Sequence, residues 1–195
     1  MKAGSVLAEL EKEAALYHLP ILRKAERDVF LSVVKKAAPR RILEIGTAIG
    51  YSALLMAEAM PEAQITTIEI DPKRHRRAAE AVRKAGEEER ISCLLGDASL
   101  LIPALEGAFD LLYLDGPKGQ YLRHLKLAEP LLSGHAAVLA DNVLFRGLVA
   151  GRERAPHRYR TIVMRLRKYI SYVKKQYDTV IYPDGDGLSV SVKRI

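Results

Sequence analysis

The chain of 195 residues contains 31 Lys and Arg against 24 Asp and Glu, which gives a net charge of +7, and 49% of its residues are hydrophobic. This length predicts one domain, or one domain with a small extension, and the hydrophobic content is sufficient for a large core. No apolar run approaches the roughly 20 residues of a membrane span. The single cysteine, Cys93, excludes an intrachain disulfide and is typical of a reducing compartment. We therefore expect a cytoplasmic protein without a membrane partner.

The positive charge is concentrated in one segment. Residues 146–175 contain ten Arg or Lys and one Glu, a net charge of +9, so the rest of the chain carries a net charge of −2. Such local basicity indicates a binding face for an anionic partner. The alternative is a helix whose charged face is exposed only to water.

Two amphipathic helices are predicted at the beginning of the chain, over residues 6–17 and 25–37. Apolar side chains recur at helical spacing in both stretches, and Pro20 separates them. Both helices are predicted to pack against a sheet.

From residue 41 onward, predicted strands alternate with predicted helices. Strands are predicted at residues 41–46, 65–69, 91–95, 109–114 and 135–140, and helices at residues 52–60, 72–85 and 158–176. Two last strands, at residues 179–182 and 188–193, flank a Pro- and Gly-containing segment that is typical of a hairpin turn. This order predicts an α/β fold with a doubly wound, mostly parallel sheet of seven strands and an antiparallel strand at its C-terminal end.

A glycine turn follows the first predicted strand. Gly46 and Gly50 are separated by three residues, and Ser52 is predicted to cap the helix that comes next. Glycines let a ligand approach the backbone, and the N-terminus of a helix carries unpaired N–H groups and a partial positive charge. The turn lacks the third glycine of the dinucleotide-binding pattern, although taken alone it is weak evidence against a dinucleotide.

Further ligand contacts are expected where the second and third strands end, because open parallel sheets bind ligands at the carboxyl ends of their strands. Glu69 ends the second strand, where a carboxylate can accept both hydroxyls of a ribose. Gly96, Asp97 and Ala98 follow the third strand, and Asp97 is alternatively only the cap of the next helix. These positions suit an adenosyl group and NAD almost equally.

The ends of the fourth and fifth strands favour a metal ion over hydride transfer. Asp115 and Lys118 follow the fourth strand, and Asp141 and Asn142 follow the fifth. Carboxylate and amide oxygens are the ligands of hard divalent cations such as Mg²⁺. Taken one at a time, each Asp is alternatively a common turn or cap residue.

A known family shares these features. The stretch from Leu43 to Ser52, Leu-Glu-Ile-Gly-x-x-x-Gly-Tyr-Ser, resembles motif I of the S-adenosylmethionine-dependent methyltransferases, and most of all that of the small O-methyltransferases related to catechol and caffeoyl-CoA O-methyltransferase. The order Asp115, Lys118, Asp141, Asn142 is also similar to that of the catechol type. The resemblance implies a Rossmann-like class I methyltransferase fold at residues 39–195. It further implies a helical extension at residues 1–38 that covers the cofactor or builds a homodimer interface.

The resemblance implies roles for particular residues. Contacts to S-adenosylmethionine are implied for Gly46, Thr47, Gly50, Ser52, Glu69, Gly96, Asp97, Ala98 and Asp115, with residues 96–98 against the adenine. Ligation of Mg²⁺, or of another divalent cation such as Mn²⁺, is implied for Asp115, Asp141 and Asn142. The residues between Asp115 and Lys118, Gly-Pro, depart from the family pattern and leave the substrate open.

The implied chemistry is the transfer of a methyl group to a hydroxyl that has a second oxygen beside it. A metal ion held by Asp115 polarises such a hydroxyl, and Lys118 accepts its proton. Asp115 and Lys118 are therefore the predicted catalytic residues. Lys118 alternatively only positions the substrate.

The basic segment suggests a nucleic-acid substrate. Contacts to RNA phosphates are predicted for Arg146, Arg152, Arg154, Arg165, Arg167 and Lys168. The phrase from Leu114 to Tyr121 and the Arg-rich helix after Asn142 resemble the bacterial tRNA 5-hydroxyuridine methyltransferases, which implies methylation of 5-hydroxyuridine in the anticodon loop to 5-methoxyuridine. One alternative is a small-molecule O-methyltransferase acting on catechol or caffeoyl-type substrates, and another is a non-catalytic adenosyl-binding module.

Overall fold

The computed structural model describes residues 3–22, 24–151 and 155–194, which form seven strands and seven helices. The strands are β1 Arg41–Ile45, β2 Gln64–Glu69, β3 Ile91–Leu95, β4 Phe109–Leu114, β5 Leu132–Ala140, β6 Tyr177–Tyr182 and β7 Leu188–Lys193. The helices are α1 Ala3–Tyr17, α2 Lys24–Ala37, α3 Tyr51–Ala59, α4 Pro72–Ala85, α5 Ala98–Leu101, α6 Tyr121–Ala128 and α7 Arg160–Gln176.

All seven strands belong to one sheet in the order β3-β2-β1-β4-β5-β7-β6. The first five strands are parallel to one another, and β7 runs antiparallel to both of its neighbours, β5 and β6. The predicted fold class is therefore confirmed. The strand order reverses direction at β1, which lies between β2 and β4, and a ligand of an open α/β sheet is expected beyond the carboxyl end of such a strand.

The sheet is covered on both faces. Helices α1 to α4 pack on one face and α5 to α7 on the other, which produces two hydrophobic cores. Along β4, Leu111 and Tyr113 belong to the first core, whereas Leu112 and Leu114 belong to the second. Residues 111–114 are consecutive apolar residues because they alternate between two cores, and this run made β4 recognisable as a buried parallel strand.

Helix α1 is fastened to α4 by both apolar and charged contacts. The side chains of Val6, Leu7 and Leu10, on the inner face of α1, are buried. Both carboxylate oxygens of Glu13 accept hydrogen bonds from Nε of Arg77, at 3.0 and 2.9 Å, and this guanidinium lowers the pKa of Glu13. The predicted helical extension therefore packs against the same face of the sheet as α3 and α4.

Several elements differ from the sequence-based prediction. Helix α1 begins at Ala3 and β6 at Tyr177, three and two residues before their predicted starts. Helix α6 lies in a stretch to which no helix was assigned, because its eight residues are too few for a clear period. Strand β5 begins at Leu132, three residues before the predicted start. Helix α3 begins at Tyr51 with Gly50 as its N-cap, so the prediction that Ser52 caps this helix was wrong.

None of the helices in the described parts of the chain combines the length and the hydrophobicity that crossing a membrane requires.

Candidate active site

A cavity of about 400 Å³ lies at the carboxyl ends of β1 to β4, where the topology predicts a ligand. Its lining contains eight of the residues that the sequence singled out: Gly46, Glu69, Gly96, Asp97, Ala98, Asp115, Lys118 and Asn142. We call this space the cofactor cavity. The ends of four separate strands thus bring the predicted residues to one place.

Gly46 allows the backbones of β1 and β4 to approach each other at the floor of this cavity. Its φ of 105° lies in the region that favours glycine, and its N–H donates to the carbonyl of Ile68 at 2.9 Å. A Cβ at this position would lie 2.5 Å from the carbonyl oxygen of Asp115. Only glycine is therefore compatible with the observed turn.

Gly50 contributes to the packing of two helices and not to the cofactor cavity. It also has a positive φ, of 87°, but it does not line the cofactor cavity. A Cβ there would lie 3.3 Å from Cα of Ala78 on α4. Gly50 therefore lets α3 begin close against α4. The predicted contact of Gly50 with the cofactor is not supported by the set of residues that line the cofactor cavity.

Glu69 joins the glycine turn to the turn after β2. One carboxylate oxygen accepts the N–H of Ala48 at 2.8 Å, and the other accepts the N–H of Asp71 at 2.9 Å. A carboxylate has about four acceptor positions, so two backbone bonds leave capacity for hydroxyl groups in the cavity. Glu69 is buried in the protein but borders the cavity, which suits a residue that holds a ribose.

Asp97 is the N-cap of α5, and its predicted contact with the cofactor stays a prediction. It borders the cofactor cavity, and its carboxylate accepts the N–H of Ser99 at 2.7 Å as the N-cap of α5. That backbone hydrogen bond lowers the pKa of Asp97, with a smaller contribution from the nearby guanidinium of Arg123. The residue is therefore held as an acceptor at the mouth of the cavity.

Thr47 and Ser52 turn their side chains away from the cavity, into the protein. The hydroxyl oxygens of Thr47 and Thr67 are 2.5 Å apart, Thr67 donates to Glu44 at 2.6 Å, and Ser52 also donates to Glu44. All four side chains are buried. The side chains of Thr47 and Ser52 therefore support the glycine turn from beneath, and their predicted contacts with the cofactor stay a prediction.

Glu44 is the centre of this buried network. Burial raises its pKa to about 7, against the opposing effect of the hydrogen bonds from Ser52 and Thr67. A carboxyl without a cationic partner is more stable in its neutral form when it is removed from water. The protonation of Glu44 therefore links the stability of the fold to pH.

Replacing Glu44 by Gln is expected to weaken the pH dependence of stability. Because the pKa of Glu44 is raised in the folded state, its contribution is complete below the pKa of the unfolded chain and is lost as the pH rises through about 7. Between about pH 5 and about pH 8, the free energy of unfolding should fall by about 3 kcal/mol less in E44Q than in the wild type. Urea unfolding at several pH values measures this difference.

The matched control for this prediction is Glu62→Gln, at an exposed position. Its stability should follow the wild-type pH profile. An E44Q profile parallel to that of the wild type would show that Glu44 ionises in the folded protein as it does in the unfolded chain.

A second cavity, of about 670 Å³, adjoins the first and extends toward α1 and α2. We call it the substrate cavity. Asp115 and Asn142 line both cavities, whereas Asp141 lines only the substrate cavity. The three predicted metal ligands therefore lie together where the two cavities meet.

The electrostatics of these two carboxyls favour a cation. Burial and the charge of Asp141 raise the pKa of Asp115 well above its usual range, and the charge of Lys118 opposes this rise. Burial also raises the pKa of Asp141 to about 6, although its carboxylate accepts the N–H of Asn142 at 2.7 Å. Two neighbouring buried carboxyls are each stabilised in the charged form when a cation lies between them.

The donor set fits a hard divalent cation by its chemistry. Two carboxyls and an amide offer only oxygen ligands on the protein side, as Mg²⁺ and Mn²⁺ prefer. No group of three or more His, Cys, Asp or Glu side chains that could hold a metal occurs among the residues that the structure describes. The predicted set has only two residues of those types, so it stays a prediction that rests on Asp115, Asp141 and Asn142.

A polar cluster on the far wall of the substrate cavity was missed by the sequence analysis. Nη1 of Arg27 donates to Glu11 at 2.6 Å and to the hydroxyl of Tyr51 at 3.1 Å, and that hydroxyl donates to Glu11 at 2.7 Å. All three residues line the cavity. Glu11 and Arg27 lie on the polar faces of amphipathic helices, so nothing in their spacing separates them from ordinary surface residues.

The predicted RNA-contact residues have different surroundings. Arg152 and Arg154 lie outside the described residues. The guanidinium of Arg146 lies 5.5 Å from the ring centre of Tyr159 and donates to its hydroxyl at 3.1 Å. Arg165 and Lys168 are exposed on α7.

Arg167 is bound to the protein's own backbone. Its guanidinium donates to the carbonyls of Leu148, Val149 and Gly151, at 3.1, 3.1 and 2.6 Å. These bonds hold the loop after β5 against α7. The predicted contact of Arg167 with RNA would compete with them, so Arg165 and Lys168 are the better placed of the three.

Comparison with known proteins identifies the family. The sequence profile described as O-methyltransferase matches residues 2–194, almost the whole chain. The chain belongs to this O-methyltransferase family. The resemblance noted in the sequence is thereby confirmed, and with it the assignment to a family of enzymes.

Among the curated relatives is the transmembrane O-methyltransferase of Propithecus coquereli, which is 38% identical over 154 residues. The match covers 74% of this chain and 56% of that relative, so the chain spans about half the length of the curated relatives of this type. The caffeoyl-CoA O-methyltransferase of Medicago sativa is 29% identical over 182 residues, which are 85% of this chain and 72% of the relative.

Solved structures of similar proteins share the fold over nearly their full length. A candidate caffeoyl-CoA O-methyltransferase from Staphylococcus aureus superposes with a TM-score of 0.88 and 26% identity, over 96% of this chain and 92% of that one. The SAH-bound methyltransferase PaMTH1 from Podospora anserina has a TM-score of 0.85 and 28% identity, over 97% and 88% of the two chains.

Proposed function

We propose that this protein transfers a methyl group from S-adenosylmethionine to the 5-hydroxyl of 5-hydroxyuridine in a tRNA anticodon loop, giving 5-methoxyuridine, with Mg²⁺ or Mn²⁺ as an essential ion. The observation that carries this proposal is the position of Asp115 and Asn142 on the border between the two cavities. A methyl donor on one side and a hydroxyl on the other would meet there. Methyl transfer needs this arrangement, since the two reacting atoms must be held in line.

Family membership and the cofactor cavity support S-adenosylmethionine as the donor. A relative with 28% identity was crystallised with SAH, the product of methyl transfer. In this chain, Glu69 would accept the ribose hydroxyls, and Gly96, Asp97 and Ala98 would lie against the adenine. Gly46 also lines this cavity and would contact the rest of the cofactor.

Asp115, Asp141 and Asn142 would hold the metal ion. A bound divalent cation supplies Lewis-acid polarisation, which lowers the pKa of a hydroxyl beside it. The 5-hydroxyl of 5-hydroxyuridine stands next to the O4 carbonyl, so this base offers two neighbouring oxygens as a catechol does. That pairing of oxygens is the feature that the two proposed substrate classes share.

The chain's own side chains would orient the substrate and move its proton. Lys118 borders the cofactor cavity three residues after Asp115 and would accept the proton of the hydroxyl. Across the substrate cavity, Arg27 and Glu11 offer a donor and an acceptor to the polar edge of a base. Leu22 and Ile21 on the same wall would exclude water from the reacting oxygen.

The charge and the cavity lining favour RNA over a small phenol. Apart from Tyr51, the residues that the structure places in the lining of the substrate cavity include no aromatic side chain against which a flat phenol would stack. The basic helix α7 lies close to the turn that carries Lys118. An unpaired loop base can be extruded into such a cavity while basic residues hold the backbone.

A small-molecule O-methyltransferase is the second candidate function. It is favoured by the name of the Medicago sativa relative, a caffeoyl-CoA O-methyltransferase that the chain matches over 72% of its length. Such an enzyme would use the same cofactor cavity and the same oxygen ligands. The two candidates differ in whether the basic surface matters for turnover.

Incubation of the protein with labelled S-adenosylmethionine and 5-hydroxyuridine-containing tRNA, beside caffeate as a second acceptor, tests the proposal. We expect label in the tRNA and little in caffeate, and loss of transfer when EDTA removes divalent ions. Label in caffeate alone would establish the second candidate. Absence of transfer to either acceptor, with intact binding of S-adenosylmethionine, would indicate an adenosyl-binding module without catalysis.

A further inference from the structure

We propose that the groove between α6 and α7 binds the phosphodiester backbone of the RNA whose nucleotide enters the substrate cavity. The groove has a volume of about 630 Å³ and lies on the face of the sheet opposite to α1 and α2. The inference rests on the proposed function, since it assigns a second contact to the same substrate. It adds a binding surface outside the cavities described above.

Four cationic side chains line this groove. They are Arg123 and Lys126 from α6 and Arg165 and Lys168 from α7. All four are exposed, and none forms a salt bridge within the part of the chain that the structure describes. The ammonium of Lys126 lies 5.2 Å from the ring centre of Tyr172, a contact that leaves its charge unpaired with any acid. Cations without an ion pair are available to phosphates, because no ion pair must be broken before they bind.

The two helices carry positive charge without any compensating acid. Helix α6 contains two Lys or Arg and α7 contains six, and neither contains Asp or Glu. The nearest acid after α6, Glu129, is already used, because its carboxylate accepts hydrogen bonds from the hydroxyls of Tyr172 and Tyr177 at 2.7–2.9 Å. Asp97 lies near Arg123 but serves as the N-cap of α5.

The groove is continuous with the active site through the turn at residues 118–120. Gly119 and Gln120 line the groove, and Gln120 also lines the cofactor cavity. The side chain of Arg165 lies over Gly119, since a Cβ at that glycine would be 3.3 Å from Cδ of Arg165. The nucleotides that flank a base bound near Lys118 would therefore extend across this turn into the groove.

The form of the groove suits a chain of phosphates better than one small anion. Its cations come from two helices, and the apolar side chains of Leu122 and Leu127 line it as well. Lys168 also lines a neighbouring cavity with Arg160, which continues the positive surface along α7. A polynucleotide presents repeated charges to such a row, whereas a single phosphate would use one or two of them.

Charge reversal in the groove tests the inference. The double variants Arg165→Glu with Lys168→Glu, and Arg123→Glu with Lys126→Glu, are compared with Lys35→Glu with Lys36→Glu. This control makes the same change of charge at two exposed residues of α2, on the other face of the sheet. Binding of a fluorescent anticodon stem-loop containing 5-hydroxyuridine is measured for the full chain with SAH at several salt concentrations.

We expect each groove variant to bind the stem-loop about 10- to 100-fold more weakly, with the slope of log affinity against log salt reduced by about one for each residue changed. The control variant should bind within about twofold of the wild type, because its surface has no phosphate contact to lose. Unfolding midpoints of all variants verify the fold. Should a charge-reversed variant fail to fold, Arg165→Gln with Lys168→Gln is measured in its place.

Three outcomes would overturn the inference, and they differ in what they say of the proposed function. Groove variants with wild-type affinity and salt slope would show that the groove does not bind the RNA backbone, while RNA would remain the proposed substrate. A wild-type protein that does not bind the stem-loop but methylates caffeate would overturn both. Loss of binding to coenzyme A in the groove variants, with unchanged binding of RNA, would assign the groove to the phosphates of an acyl-CoA.

Discussion

Replacing Asp141 by Asn is expected to reduce methyl transfer by about a thousandfold while the affinity for S-adenosylmethionine remains close to that of the wild type. Asp141 lines the substrate cavity but not the cofactor cavity, so its loss should affect the acceptor side alone. If Asp141 is a ligand of the proposed metal ion, its loss would remove several kcal/mol of stabilisation for the ionised hydroxyl, and about 1.4 kcal/mol corresponds to a factor of ten. Initial rates and calorimetric titration with SAH measure the two effects.

The variant Asp115→Asn is compared with Asp141→Asn to separate an effect on turnover from an effect on cofactor binding. Asp115 lines both cavities, so this variant should lose turnover and also bind the cofactor more weakly. Asp178→Asn, at an exposed residue paired with Arg194, is the neutral control. If D141N turned over at the wild-type rate, or if EDTA had no effect on the wild type, the oxygen ligand set would have no part in catalysis.

Replacing Lys118 by Met is expected to lower kcat by about a hundred- to ten-thousandfold, the range usual for the loss of a general base. The side chain borders the cofactor cavity next to Asp115, and its charge opposes the rise in the pKa of that carboxyl. Met keeps much of the length and removes the amine, so the cavity should keep its shape. The rate should then increase with pH over the range in which hydroxide replaces the missing base.

Lys118→Arg separates a base from a positioning group. Arginine keeps the positive charge but cannot accept a proton, because its pKa is above about 12. A general base therefore predicts that K118R is as slow as K118M, and a positioning role predicts that K118R recovers most of the rate. Lys36→Met is the surface control. A K118M variant with the wild-type kcat and pH profile would exclude both roles.

Much of the architecture was predictable because the sheet is buried on both faces. The central strands are rich in apolar residues, and each ends at or just before a residue with a special property, such as Gly46, Glu69 or Asp115. Parallel strands bring those ends to one edge of the sheet whatever the details of packing. The eight predicted residues that line the cofactor cavity follow from this rule.

Other roles depend on which way a side chain points, which the order of residues does not specify. Ser52 looked like a helix cap, but the helix begins one residue earlier and its hydroxyl donates to the buried Glu44. Arg167 looked like its neighbours Arg165 and Lys168, yet it alone reaches three backbone carbonyls. In a helix, one residue of displacement rotates a side chain by about 100°.

By itself, the sequence determined the fold class, the edge of the sheet where ligands bind and the chemical types of the groups gathered there. Strand periodicity and the residues at strand ends are local properties, and local properties are readable from a chain. Only the tertiary structure decided that Arg27 and Glu11 form a wall of the substrate cavity and that α6 and α7 enclose a basic groove. Those features arise between elements far apart in the chain, where packing, rather than spacing, determines which surfaces meet.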